Sequence, residues 1–252
     1  MRNSKRLNEI FKKNAEFEGE SPYNFCDRWC ERCLHEKQIR CTLYKDELER
    51  KITCIAHGRN EDDPEITEAV MEVQYKEIDE KLREHMDKFG IDLDNLDIDE
   101  DKFDEADAID FEDLPPDIQK HIRFVENNPL DKAAENYCHK AYAFLKETFY
   151  KNESAHLNLK YDFEAVSWYH TLLPAKLHRV LCGFHEAASD GDISLCDAVA
   201  QFQICKKAIT QSVEAFRKIA KSYVSFQAQI QTMLALLHNI YSRIEKLEES
   251  IV

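Results

Sequence analysis

Four cysteines stand within sixteen residues: Cys26, Cys30, Cys33 and Cys41, spaced C-x3-C-x2-C-x7-C. Thiols this close oxidise to one another or hold a metal, and the spacing points to a metal site. Zinc bound by four thiolates is the first expectation and an iron–sulfur cluster the alternative, since C-x3-C-x2-C also suits three ligands of a [4Fe–4S] centre. His35 and Glu36 are nearby substitutes for Cys41 as ligands. A third reading is four packed thiols without metal. Geometry limits the choice. On one straight helix the run from Cys26 to Cys41 would spread over roughly 22 Å at 1.5 Å per residue. Tetrahedral zinc needs its sulfurs within about 4 Å of one another. A shared metal therefore requires the backbone to fold back between Cys33 and Cys41, with Arg28, Arg32 and Arg40 to offset its charge and Phe25 and Trp29 to shield it.

The run Tyr23-Asn24-Phe25-Cys26-Asp27-Arg28-Trp29-Cys30-Glu31-Arg32-Cys33, followed by Arg40-Cys41, resembles the opening of a bacterial family of uncharacterised cysteine-rich helical proteins. In that family Y-N-x-C-D-x-W-C-E-R-C precedes a further R-C pair. Glu164-Ala165-Val166-Ser167-Trp168-Tyr169 is similar to a W-Y-containing helix of the same family. The gap between Cys33 and Cys41 is longer here. The resemblance implies a cysteine-rich helical protein and no particular activity.

Other polar side chains offer weaker constellations. Glu135 and His139 are spaced i, i+4, and Glu164, His170, His178 and His185 lie on the next expected helix. A bundle-centred metal pair uses one Glu from each of two helices and E-x-x-H from each of the other two. Here Glu153-x-x-His156 is a match, near an expected helix end, and the remaining helices offer Glu214 and His238. His170, on an apolar face, reads as a hydrogen-bonded core histidine. Cys54, Cys138, Cys182, Cys196 and Cys205 read as core or half-buried thiols.

The elements that must position these groups are helical. Five glycines and six prolines in 252 residues leave few turns, and neither G-x-G-x-x-G nor a Walker A motif occurs, which argues against the common nucleotide-dependent enzymes. Residues 1–20 are charged throughout, and no apolar run approaches the roughly 18 residues of a membrane span. A cytoplasmic protein with reduced thiols is expected. The net charge of −15 is concentrated: residues 91–113 hold twelve acids and one lysine. That stretch alternates acid and apolar residues and reads as an acidic linker. An EF-hand there fails, because Lys102 takes the place of the sixth-position glycine.

Apolar periodicity predicts helices over 4–18, 41–55 and 64–89, the last opened by Asp63-Pro64 and carrying a stripe of Met71, Tyr75, Ile78, Leu82 and Phe89. Beyond Asn128-Pro129 it predicts helices over 130–151 and 162–187, the latter kinked at Pro174. Two more follow, one reaching Tyr223 and one starting at Phe226. The expected class is all-α: a cysteine-rich module over 1–60, a connecting helix over 61–90, an acidic linker over 91–115 and an up-down four-helix bundle over 116–252. The function expected is a non-catalytic, metal-stabilised interaction or scaffold protein meeting a protein partner. The alternatives are an oxidoreductase-type protein, using an iron–sulfur cluster or a bundle-centred metal pair, and a metal-free helical homo-oligomer. With few basic residues on an acidic chain, nucleic acid is disfavoured as a partner, and no membrane association is expected.

Overall fold

The computed structural model describes residues 5–20, 22–61, 63–88, 110–151, 158–190 and 192–251. Among them the chain is all-α, with α1 (Lys5–Glu20), α2 (His35–Arg40), α3 (Thr42–Ala56), α4 (Pro64–Lys88), α5 (Pro116–Glu126), α6 (Pro129–Glu147), α7 (Lys160–Asp190), α8 (Asp192–Ser222) and α9 (Gln227–Glu249). The acidic stretch lies outside the described residues up to position 109, as does the Glu153/His156 pair. The chain divides into two compact units, residues 1–32 with 115–252, and residues 33–114.

In the first unit α6, α7, α8 and α9 each pack on two neighbours and close a four-helix bundle. Its core is built from the apolar faces of these helices: Phe144, Phe163, Leu177, Phe202 and Phe216 are all buried. The aromatic rings interlock, with Phe144 centred 5.8 Å from Phe216 and 5.7 Å from Phe226. Asn128 caps α6 through the amide of Leu130 (2.9 Å), ahead of Pro129 at the first helical position. Helix α7 runs from Lys160 through Pro174 to Asp190 as one element, held by burial on both sides of the proline. The break between α8 and α9 falls at Tyr223–Phe226, where a 3-10 turn reverses the chain without glycine or proline. Tyr223 and Phe226 pack against the core at that turn, so side-chain burial supplies the stop that turn residues would otherwise give. Helices α7 and α8 approach closely at Gly183, where a Cβ would stand 2.8 Å from the Ser194 carbonyl oxygen. Helix α1 packs on α8 through Leu7 and Ile10, and the Asn14 amide donates to the Cys196 carbonyl (2.8 Å).

The second unit holds a helical hairpin, α3 and α4. Cys41 is the N-cap of α3, its sulfur accepting from the Tyr44 amide at 3.4 Å. The helix ends at Gly58, whose φ of 68° permits the paired closing bonds Gly58 N to Ile55 O (2.9 Å) and Arg59 N to Cys54 O (3.0 Å). Asp63 caps α4 at the amide of Glu65 (3.1 Å), as its position before Pro64 predicts. Cys54 is fully buried at this turn, 3.8 Å from the Thr67 hydroxyl, and Arg50 reaches the Gln74 side chain further along the hairpin.

Candidate functional site

The cysteine run is not one helix. Residues 22–25 and 30–32 are 3-10 turns, and α2 is followed by a break at Cys41. All nine cysteines are thiols. Cys26 and Cys30 belong to the first unit, Cys33 and Cys41 to the second. The Cys30 thiol points at the Arg28 carbonyl (3.7 Å). Among the described residues no three His, Cys, Asp or Glu side chains are grouped so as to hold a metal ion.

What the structure does bring together is the residues between the cysteines and the W-Y stretch of α7. Trp29 stacks on Trp168, with ring centres 5.4 Å apart and planes at 19°, and meets Tyr169 edge-on at 5.6 Å. The Trp168 indole donates to the Asp27 carbonyl (2.9 Å). The Asp27 carboxylate accepts from the Tyr169 hydroxyl (2.6 Å) and pairs with the Lys207 ammonium of α8 (2.7 Å). Arg32 lies 3.4 Å from the ring centres of both Trp29 and Tyr161, and donates to Glu164 (2.8 Å). Arg28, at φ 54°, holds the left-handed turn between Asp27 and Trp29, a conformation costly for a side chain without glycine's freedom. Residues 27–32 and the stretch 161–169 of α7 are therefore packed on each other. Trp29, expected to shield a metal, faces Trp168, and Arg32, expected to offset its charge, faces Glu164.

The electrostatics fit a closed joint. Burial alone would raise the Asp27 pKa, but Lys207, the Tyr169 hydroxyl and the Trp29 amide outweigh it and hold the carboxyl below its usual value. The same burial, with Asp27 as neighbour, pushes the Tyr169 phenol up, so it stays a proton donor. Lys176 is buried nearby, its ammonium pKa lowered first by burial and then by Arg179 and Arg28. The Trp168 indole, the Tyr169 hydroxyl, the Lys207 ammonium and the Arg32 guanidinium each meet an acceptor at the joint. Asp27, already accepting from Tyr169 and Lys207, is engaged as a structural anion.

Glu135 and His139 lie exposed on α6, and Glu214 and His238, also exposed, line one groove between α8 and α9. His178 sits 3.8 Å from the buried Asp131, whose carboxyl is raised by burial. His170 is buried and bonded to the Ser167 carbonyl (2.7 Å), as its apolar face predicts. His185 meets His121 of α5, a contact with no sequence signature because the partners lie 64 residues apart. Asp27, Trp168, Tyr169 and Lys207 share no local spacing that joins them in the sequence. The available signal was an acid and a tryptophan embedded in a cysteine run.

No family model, curated protein or solved structure matches this chain. Among the described residues no helix is long and apolar enough to cross a membrane.

Proposed function

We propose that the protein is a non-catalytic helical scaffold that self-associates through its α3–α4 hairpin. One observation carries this reading. Leu48, Ile52 and Ile55 on α3, and Tyr75, Ile78 and Leu82 on α4, are 41–60% exposed, although each set repeats at the 4–3 or 3–4 spacing of a packing seam. Exposed apolar residues in contiguous stripes mark an interface, whereas scattered ones need no explanation. Charge names the occupant. Lys45 borders the α3 stripe and Glu72 the α4 stripe, while Lys51 and Asp79 pair within their own helices with Glu47 and Arg83. Laying α3 of one copy on α4 of a second brings opposite charges together, and two-fold symmetry repeats the match, giving four helices from two hairpins.

Sedimentation equilibrium of the full chain tests this. A dimer that dissociates to monomer in Ile52→Asp and in Ile78→Asp, with helical circular dichroism retained, is the expected result. A wild-type chain that stays monomeric at every concentration sampled, or variants that stay dimeric, overturns it.

A metal held by Cys26, Cys30, Cys33 and Cys41, zinc before an iron–sulfur cluster, is the second reading. It is favoured by the backbone turns through the cysteine run, which remove the rod-like helix that would string the sulfurs apart. Elemental analysis of anaerobically purified protein tests it. About one zinc per chain, or a brown protein with iron and sulfide, supports it. Metal-free protein with these four thiols freely titratable sinks it.

A further inference from the structure

We infer that His121 and His185 form a divalent transition-metal site, suited to zinc, that ties α5 to α7. Their Nδ1 atoms are 3.1 Å apart. Two imidazole nitrogens on one zinc, at about 2.0–2.1 Å each, stand about 3.0–3.4 Å apart for N–Zn–N angles of about 95–110°. The ring centres are 4.7 Å apart and the planes cross at 80°. A collinear N–H···N bond at this separation would set the centres about 5.4 Å apart, since each nitrogen lies about 1.15 Å from its own ring centre. The pair is therefore bent rather than collinear, and its nitrogen and ring-centre separations are both ones that two ligands of a single ion can take.

The surroundings fit an ion with an incomplete protein shell. The pair lies in an open groove of about 840 Å³, lined by Asp117, Lys120, Phe124, Phe184 and Glu186 beside the two histidines. Asp117 is one turn before His121 on α5 and Glu186 is next to His185, so two carboxylates stand at the rim against the one ammonium of Lys120. Phe124, tilted on His185 with centres 5.1 Å apart, fixes that ring. The site supplies two protein donors rather than three, and water fills the remaining positions from the open side. Imidazole is a good ligand for zinc, nickel and cobalt, and a two-imidazole site binds reversibly rather than as a permanent structural ion. The site is independent of the four clustered cysteines and of the hairpin.

Cobalt(II) and zinc(II) titrations of the full-length, reduced protein provide the test. The expected result is a cobalt complex with weak visible bands and no thiolate charge-transfer band for this equivalent. Zinc should compete for it and raise the thermal midpoint. Binding should be at least tenfold weaker in His121→Ala and in His185→Ala. His121→Gln, which keeps a polar side chain on α5, guards against loss through misfolding and should lose the metal-induced rise in midpoint while remaining helical. Affinity unchanged in these variants, or a cobalt spectrum carrying thiolate charge transfer alone, overturns the assignment and leaves the two rings as a hydrogen-bonded pair.

Discussion

The four-helix bundle and the α3–α4 hairpin use the same helical grammar to opposite ends. In the bundle, residues at helical spacing are buried: Leu173, Leu177, Val180 and Leu181 on one helix are inaccessible to solvent. In the hairpin, a comparable density of apolar residues leaves Cys41 and Cys54 as the buried ones among the described residues of that unit. Two helices offer one shared seam, and α3 carries a second apolar stripe on another face. Periodicity thus marks an apolar face. It does not say whether the same chain covers it. The difference separates a bundle whose apolar faces are covered within the chain from a hairpin whose α3 and α4 stripes are exposed.

Core truncation should separate the two most strongly. Phe216→Ala removes a fully buried ring packed on Phe144 and is expected to cost about 3–5 kcal/mol in chemical denaturation. Ile78→Ala in the hairpin should cost less than about 0.5 kcal/mol when measured on the monomer, while weakening self-association. Comparable losses at both positions would erase the distinction between internal and external cover.

The joint between the cysteine run and the bundle comes next. Asp27→Ala leaves the Tyr169 hydroxyl without its acceptor and is expected to cost about 1–3 kcal/mol. Arg32→Lys keeps the charge but gives up the flat guanidinium held against Trp29 and Tyr161, and should cost about 1 kcal/mol, read by the same denaturation experiment. If Arg32→Lys is silent while Glu164→Gln is not, charge rather than stacking holds the joint.

The helices were legible because their apolar faces repeat over many turns, and the caps at Asp63 and Asn128 carry local chemistry that sequence displays. The α8–α9 break was legible from length alone, since an unbroken helix across both segments is too long for a compact domain. The joint was not legible, because Asp27 meets Lys207 and Trp29 meets Trp168 across more than a hundred residues. Cysteine spacing is the conspicuous local pattern of that run. The tryptophan, acid and arginine between the thiols make the contacts that the structure displays. The histidine pair had the same obstacle: His185 lay on a helix already assigned to the bundle, and nothing local marked His121 as its neighbour.

Gly58 probes the hairpin by itself. Nothing lies within 4 Å of where a Cβ would stand, so Gly58→Ala meets no clash and tests backbone conformation alone. At φ 68° an L-residue costs about 1 kcal/mol. The loss should appear as faster amide hydrogen exchange at the α3–α4 turn, with the bundle's slowest amides unchanged. Faster exchange in both places would mean that the two units unfold together.

The smallest effect belongs to the bundle. Burial lowers the pKa of His170 below its ordinary 6.5, opposed by bonds to the Ser167 and Val166 carbonyls. The unfolded chain then binds the proton more readily than the folded one, and stability rises with pH across the interval between the two values. The contribution is complete above the unfolded value of about 6.5 and is lost as pH falls through the lower folded value. Thermal midpoints from about pH 8 to about pH 5, compared between wild type and His170→Gln, isolate it from the other histidines. The wild type should lose more on acidification than the variant. Equal slopes would place the imidazole in water on the time scale of unfolding and would make the helix face that buries it as open as the stripes of the hairpin.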